Sequence, residues 1–174
     1  MRKSQFIKHL EELNEDDLRD ELLQLYKQVP EVKTYYSMEL GTEKERKKLY
    51  DRTKKEIIAK YATKSFRRPR RPRIQKINLI LAEMKRKSIF AHEMADLYLF
   101  DVEEAISFSR KYQFYSDVLS NHVIKTFTEA CRIIQEQVLH DTYKERCESV
   151  LSNVLYYPTI HMDLEPIFDT TFHS

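Results

Sequence analysis

The chain has 174 residues, 41% hydrophobic and 33% charged, a balance that suits one soluble domain burying roughly two-thirds of its unfolded surface. Its single glycine, Gly41, excludes glycine-rich phosphate loops, dinucleotide fingerprints and most tight β-hairpin turns, so the expected class is all-α with no sheet. The near-neutral total of 30 basic and 28 acidic residues hides a segregation, net −3 over 1–41, +13 over 42–87 and −8 over 88–174.

Taken in chain order, Phe6, Ile7, Leu10 and Leu13 recur at helical spacing, and Asn14 with Asp17 predicts a capped second helix over Glu15–Val29. Its apolar stripe is Leu18, Leu22, Leu25, Tyr26 and Val29. Pro30 opens a third short helix carrying Val32, Tyr35 and Tyr36, and Gly41 is expected as its C-cap. Thr42 and Glu45 form a capping box, after which Leu49, Thr53, Ile57 and Tyr61 predict a helix of about twenty residues to Ala62.

Residues Thr63–Arg73 cannot continue that helix, because Pro69 and Pro72 remove backbone donors and force the preceding residues into extended conformations. A polyproline-like arm is expected there, with Pro72 in the first turn of the next helix and Ile74, Ile77, Leu81 and Met84 as that helix's buried stripe. Ser88 is placed as the cap of a helix with Phe90, Met94, Leu97 and Tyr98 inward, and Asp101 with Glu104 as a second capping box opening a short helix to Tyr112. A long helix over Phe114–Leu139 turns Leu119, Val123, Phe127, Ala130, Cys131, Ile134 and Val138 inward. Asp141 then caps a last helix through Tyr143, Cys147, Val150, Leu151 and Val154.

The expected architecture is an irregular array or bundle of about nine helices over 1–157, followed by an acidic and aromatic tail over 158–174. That tail has no clean period and reads as extended or partly ordered. Its three carboxylates, with Ile167, Phe168 and Phe172 as anchors, give it the means to cover part of the basic surface.

Lys64, Arg67, Arg68, Arg70, Arg71, Arg73 and Lys76 put seven cations in thirteen residues, with no acidic residue between Glu56 and Glu83. Guanidinium forks bind phosphate bidentately and stack on bases, and Phe66 beside them offers a stacking surface. Arginine at a helix N-terminus opposes the macrodipole, a local violation that fits an anion-binding site. The alternative is a solvated loop, or one neutralised by the acidic half of the chain. Exposure and mobility of Arg67, Arg68, Arg70 and Arg71 are expected of a binding arm, and burial against carboxylates of a neutralised one.

Other chemistry has less support. His92, Glu93, Asp96, Asp101, Glu103 and Glu104 invite a metal reading, but no histidine stands three residues after a glutamate, and an exposed acidic face explains the cluster. His122 reads as a hydrogen-bonded core histidine. Cys131 and Cys147 lie sixteen apart without a CxxC, so neither a disulfide scaffold nor zinc is indicated. No nucleophile elbow is present, and no catalytic residue, metal or cofactor is assigned. Tyr35, Tyr36, Tyr112, Tyr115, Tyr156 and Tyr157 read as core packing, or as the lining of an unrecognised small-molecule site.

The segments Leu22-Leu-Gln-Leu-Tyr26 and Val32-Lys-Thr-Tyr-Tyr36, the basic proline-containing arm, and Met94-Ala-Asp-Leu-Tyr98 with Ala105-Ile-Ser-Phe108 resemble the bacterial domain-of-unknown-function family 6155. The resemblance spans most of the chain and implies a small, all-helical bacterial protein, with no established activity, cofactor or catalytic residue. From the residues themselves, the leading expectation is a non-catalytic binding module whose arm contacts RNA or DNA. Next come an adaptor or oligomeric scaffold with an acidic protein partner, and a small-molecule enzyme. No apolar run approaches the roughly 20 residues that span a bilayer, and the first six residues lack a signal-peptide core, so a cytoplasmic location without integral membrane association is expected.

Overall fold

The computed structural model describes residues 2–87, 90–155 and 157–173. Among them the chain forms α1 Lys3–Glu12, α2 Glu15–Gln28, α3 Pro30–Glu39, α4 Glu43–Tyr61, α5 Ile74–Lys87, α6 Ala91–Tyr112, α7 Asp117–Glu136, α8 His140–Val154 and α9 Pro158–Phe172. There is no strand among the described residues, so the protein is all-α, and no helix is long and apolar enough to cross a membrane. The chain divides into two compact units, Met1–Glu45 and Arg46–Ser174.

In the first unit the caps behave as their spacing predicts. Asn14 Oδ1 accepts the Asp17 N–H at 2.9 Å, and Glu15, Asp16 and Asp17 set negative charge at the positive end of α2. The Glu45 carboxylate accepts the Thr42 N–H at 2.9 Å, closing the capping box of α4. Gly41 corrects the expectation of a glycine C-cap: Leu40 holds that position, its N–H on the Tyr36 carbonyl at 2.9 Å, and Gly41 has no left-handed backbone. Space explains this glycine, because a Cβ there would stand 2.0 Å from the Ser37 carbonyl oxygen. No residue of α1 or α2 is buried, and Leu22, Leu25 and Tyr26 of the expected inward stripe are exposed.

In the second unit the stripes of α4 and α5 are as read. Thr53, Ile57 and Tyr61 are buried on the first, and Ile74, Ile77, Leu81 and Met84 on the second. The helix break expected at Asp101 is absent: α6 runs unbroken for 22 residues with Asp101 fully buried in its middle. Buried Leu97, Tyr98, Val102, Ala105, Ile106 and Phe108 continue on both sides of it, and this shared burial outweighs a local capping signal. Ser88 lies outside the described residues, and Phe90 occupies the N-cap of α6 without a side-chain bond.

Helix α7 is capped by Ser116, whose Oγ accepts the Leu119 N–H at 3.3 Å. Leu119, Val123, Phe127, Ala130, Cys131 and Ile134 are buried as expected, but Val138 is 80% exposed and left-handed, with φ 55°. The Leu139 N–H reaches the Ile134 carbonyl at 2.9 Å and the Val138 N–H the Gln135 carbonyl at 3.3 Å, the bonding of a Schellman turn. That turn demands a left-handed residue, and a β-branched one is strained there. Val138→Gly is therefore expected to raise stability by about 1 kcal/mol, measured by urea denaturation. Asp141 is not the cap of α8 either: Leu139 holds that position, and Asp141 lies in the first turn, where its charge complements the helix dipole.

Residues 158–172 also differ from the expected extended tail, because they form α9. Ile160, Leu164, Phe168 and Thr171 recur at steps of four, four and three and are buried where α9 packs on α7 and α8. Pro166 lies inside this helix at an exposed position. Ile160, Leu164 and Phe168 of the tail are thus spent on the helical core.

Candidate nucleic-acid interface

The proline-containing segment between α4 and α5 is a closed loop and not the extended arm expected. The Arg73 N–H donates to the Lys60 carbonyl at 3.2 Å, which joins the two ends of the loop. Within it, the Arg70 N–H donates to Thr63 Oγ1 at 2.9 Å and the Arg68 N–H to Ser65 Oγ at 3.2 Å. A segment of this length with touching ends is an Ω-type loop. Pro69 and Pro72 do bar a helix, but the Thr63 and Ser65 hydroxyls supply partners that bend the chain back. Pro72 lies outside the first turn of α5, because the Arg73 carbonyl accepts the Lys76 and Ile77 N–H groups at 2.9 and 3.1 Å and makes Arg73 the N-cap.

Phe66 ties the loop to the core. Its ring lies 5.6 Å from that of Tyr112, which in turn lies 4.9 Å from Phe108, while Phe66 remains 68% exposed. One side of the ring is anchored and the rest is open. Lys64, Arg67, Arg68, Arg70, Arg71, Arg73 and Lys76 are all exposed, and among the described residues none of their side chains makes a hydrogen bond or ion pair.

Asp96, Glu103 and Glu129, carboxylates available to neutralise the loop, have other partners. Arg146 Nε and Nη1 reach Glu103 at 2.6 Å and Asp96 at 2.5 Å, and Lys54 also pairs with Asp96 at 2.5 Å. Burial raises the Asp96 pKa, but the Lys54 hydrogen bond and the Arg146 charge outweigh it and hold the carboxyl below its usual range. Glu129 takes Lys85 at 3.0 Å and Arg132 at 3.2 Å. Asp96 and Glu103 of α6 therefore belong to an ion-pair network and Asp101 is buried, so the stretch is not the exposed acidic face expected. The His92 carbonyl accepts the Tyr143 hydroxyl at 2.7 Å. No group of three His, Cys, Asp or Glu side chains with metal-holding geometry occurs among the described residues.

Asp101 does something the sequence did not reveal. The Tyr61 hydroxyl donates to its Oδ1 at 2.8 Å and His122 Nε2 meets its Oδ2 at 2.7 Å, all three side chains being buried. His122 is thus the hydrogen-bonded core histidine its position predicts. Beside this hub, α5 and α7 leave a groove of about 580 Å³.

A family model described as a family of unknown function, DUF6155, matches residues 1–170. The chain belongs to this family. No curated protein and no solved structure matches the chain. DUF6155 membership thus supplies no activity, and function here rests on geometry. In this DUF6155 protein the tyrosines do not form one lining: Tyr35 meets Tyr36 edge-on at 5.4 Å, Tyr112 stacks in the loop anchor and Tyr115 meets Tyr157 at 5.1 Å. Tyr156 lies outside the described residues. Cys131 and Cys147 are buried free thiols in mutual contact between α7 and α8.

Proposed function

We propose that this protein is a non-catalytic binding module of the bacterial cytoplasm whose basic loop holds the phosphates of a nucleic acid. The observation that carries the reading is the set of seven exposed cations that make no ion pair among the described residues, while Asp96 and Glu103 of α6 pair with Arg146, and Asp96 also with Lys54. Five of the seven are arginines, which suit phosphate oxygens bidentately. The hydrogen-bonded loop presents them with less ordering cost than a free arm would carry. Phe66 adds an aromatic face beside them, of the kind that stacks with bases.

Binding of this kind is electrostatic, nearly independent of sequence and salt-sensitive. If about five cations meet phosphates, log K on a single strand falls with log salt at a slope near −3.5. Fluorescence anisotropy with unrelated single- and double-stranded oligonucleotides at several salt concentrations measures it. Absence of binding at low salt overturns the reading and transfers the loop to an acidic protein partner.

A further inference from the structure

The groove between α5 and α7 begins where the basic loop ends. Arg73 is the N-cap of α5, and Gln75, two residues on, already lines the groove, which continues along that face past Asn78 to Lys85. At the rise of a helix, Gln75 to Lys85 covers about 15 Å. The far end is closed by the Lys85–Glu129 ion pair, so the open cation along the groove is Lys125 of α7, which has no ion pair among the described residues.

The walls and floor differ in chemistry. Ile74, Leu81 and Val118 are apolar, whereas Gln75, Asn78 and Asn121 present side-chain amides with a donor and an acceptor each. His122 and Thr126 also line the groove. His122 is 5% exposed, with Nε2 on Asp101 and Nδ1 on Thr126 Oγ1 at 3.5 Å, so its ring is held in place by the protein and the amides are the polar groups the groove offers.

We propose that this groove receives one unpaired nucleobase of the strand whose phosphates the loop holds, an inference that rests on the function proposed above. Apolar walls suit the two faces of a heteroaromatic ring, and amides suit its edge, where donors and acceptors alternate. The volume falls within the range of pockets that enclose small ligands. A base in a duplex has its pairing edge and both faces occupied, so the groove selects single strands, whereas the cations of the loop do not. Lys125 then meets a phosphate flanking the inserted base.

The test compares a twelve-nucleotide deoxyadenylate strand, an abasic strand with the same number of phosphates and a duplex, all at one low salt concentration. The intact strand is expected to bind about tenfold more tightly than the abasic one. Asn78→Ala combined with Asn121→Ala, shown by circular dichroism to be folded, should remove most of the intact strand's advantage over the abasic strand, sparing only what stacking on Phe66 supplies, and leave the duplex unmoved. Equal affinity for intact and abasic strands overturns the groove proposal while leaving the phosphate-binding loop in place. So does a double variant that loses all three ligands equally, or one that loses none. If no oligonucleotide binds, the nucleic-acid reading itself fails, and the groove proposal falls with it.

Discussion

Replacement of Asp101 by alanine is expected to cost about 3–5 kcal/mol of stability, the largest effect of any single substitution considered. The side chain is 0% exposed and is the shared acceptor of Tyr61 and His122, at 2.8 and 2.7 Å. Its removal leaves two buried polar groups without a partner, each bearing its own desolvation cost. Tyr61 cannot escape by ionising, because burial, the largest cause holding its phenol above the ordinary range, remains when the Asp101 charge is gone. Urea denaturation followed by circular dichroism measures the loss, which for a chain of this size corresponds to a fall in Tm of about 10 °C. Asp101→Asn keeps an acceptor for Tyr61 but sets an amide donor against His122, so an intermediate loss is expected. A loss below about 1 kcal/mol for the alanine variant would show that the three side chains do not act as a unit.

Asp101 also marks where a sequence stops being readable. The α5 stripe of Ile74, Ile77, Leu81 and Met84 is legible because burial on a helix demands apolar side chains three or four residues apart. A carboxylate followed three residues later by Glu104 reads by the same logic as a helix start. Its actual partners lie 40 and 21 residues away in the chain, and only packing brings them together. The tail carried a legible period in Ile160, Leu164 and Phe168, but Pro166 and the interleaved acidic residues concealed it. Val138 shows a turn's backbone demand overriding a stripe that formally continued. At the loop, charge and proline content were plain from composition. Its closure was not, because the bond between Arg73 and Lys60 is made by the backbone, which has no side-chain signature. Nor could composition say whether the acidic half would neutralise the arginines. That depended on Arg146 and Lys54 taking Asp96 and Glu103 first.

Simultaneous replacement of Arg67, Arg68, Arg70 and Arg71 by serine is expected to flatten the salt dependence of single-strand binding from a slope near −3.5 to about −0.7. The reasoning is counterion arithmetic: each phosphate neutralised releases a counterion, and removing four of about five contacts leaves one. Between 50 and 200 mM salt the parent protein should lose roughly a hundredfold in affinity, and the variant roughly threefold. The fold should not suffer, because the four side chains are exposed and the loop is held by the Thr63 and Ser65 hydroxyls and by backbone groups, which the substitutions keep. Unchanged urea denaturation therefore accompanies the changed slope, which separates loss of contact from loss of structure. Lys125 and the groove amides remain, so the residual affinity of the variant should still distinguish an intact strand from an abasic one. A slope equal to the parent's would place the phosphate contacts on other cations, the exposed lysines of α4 first among them.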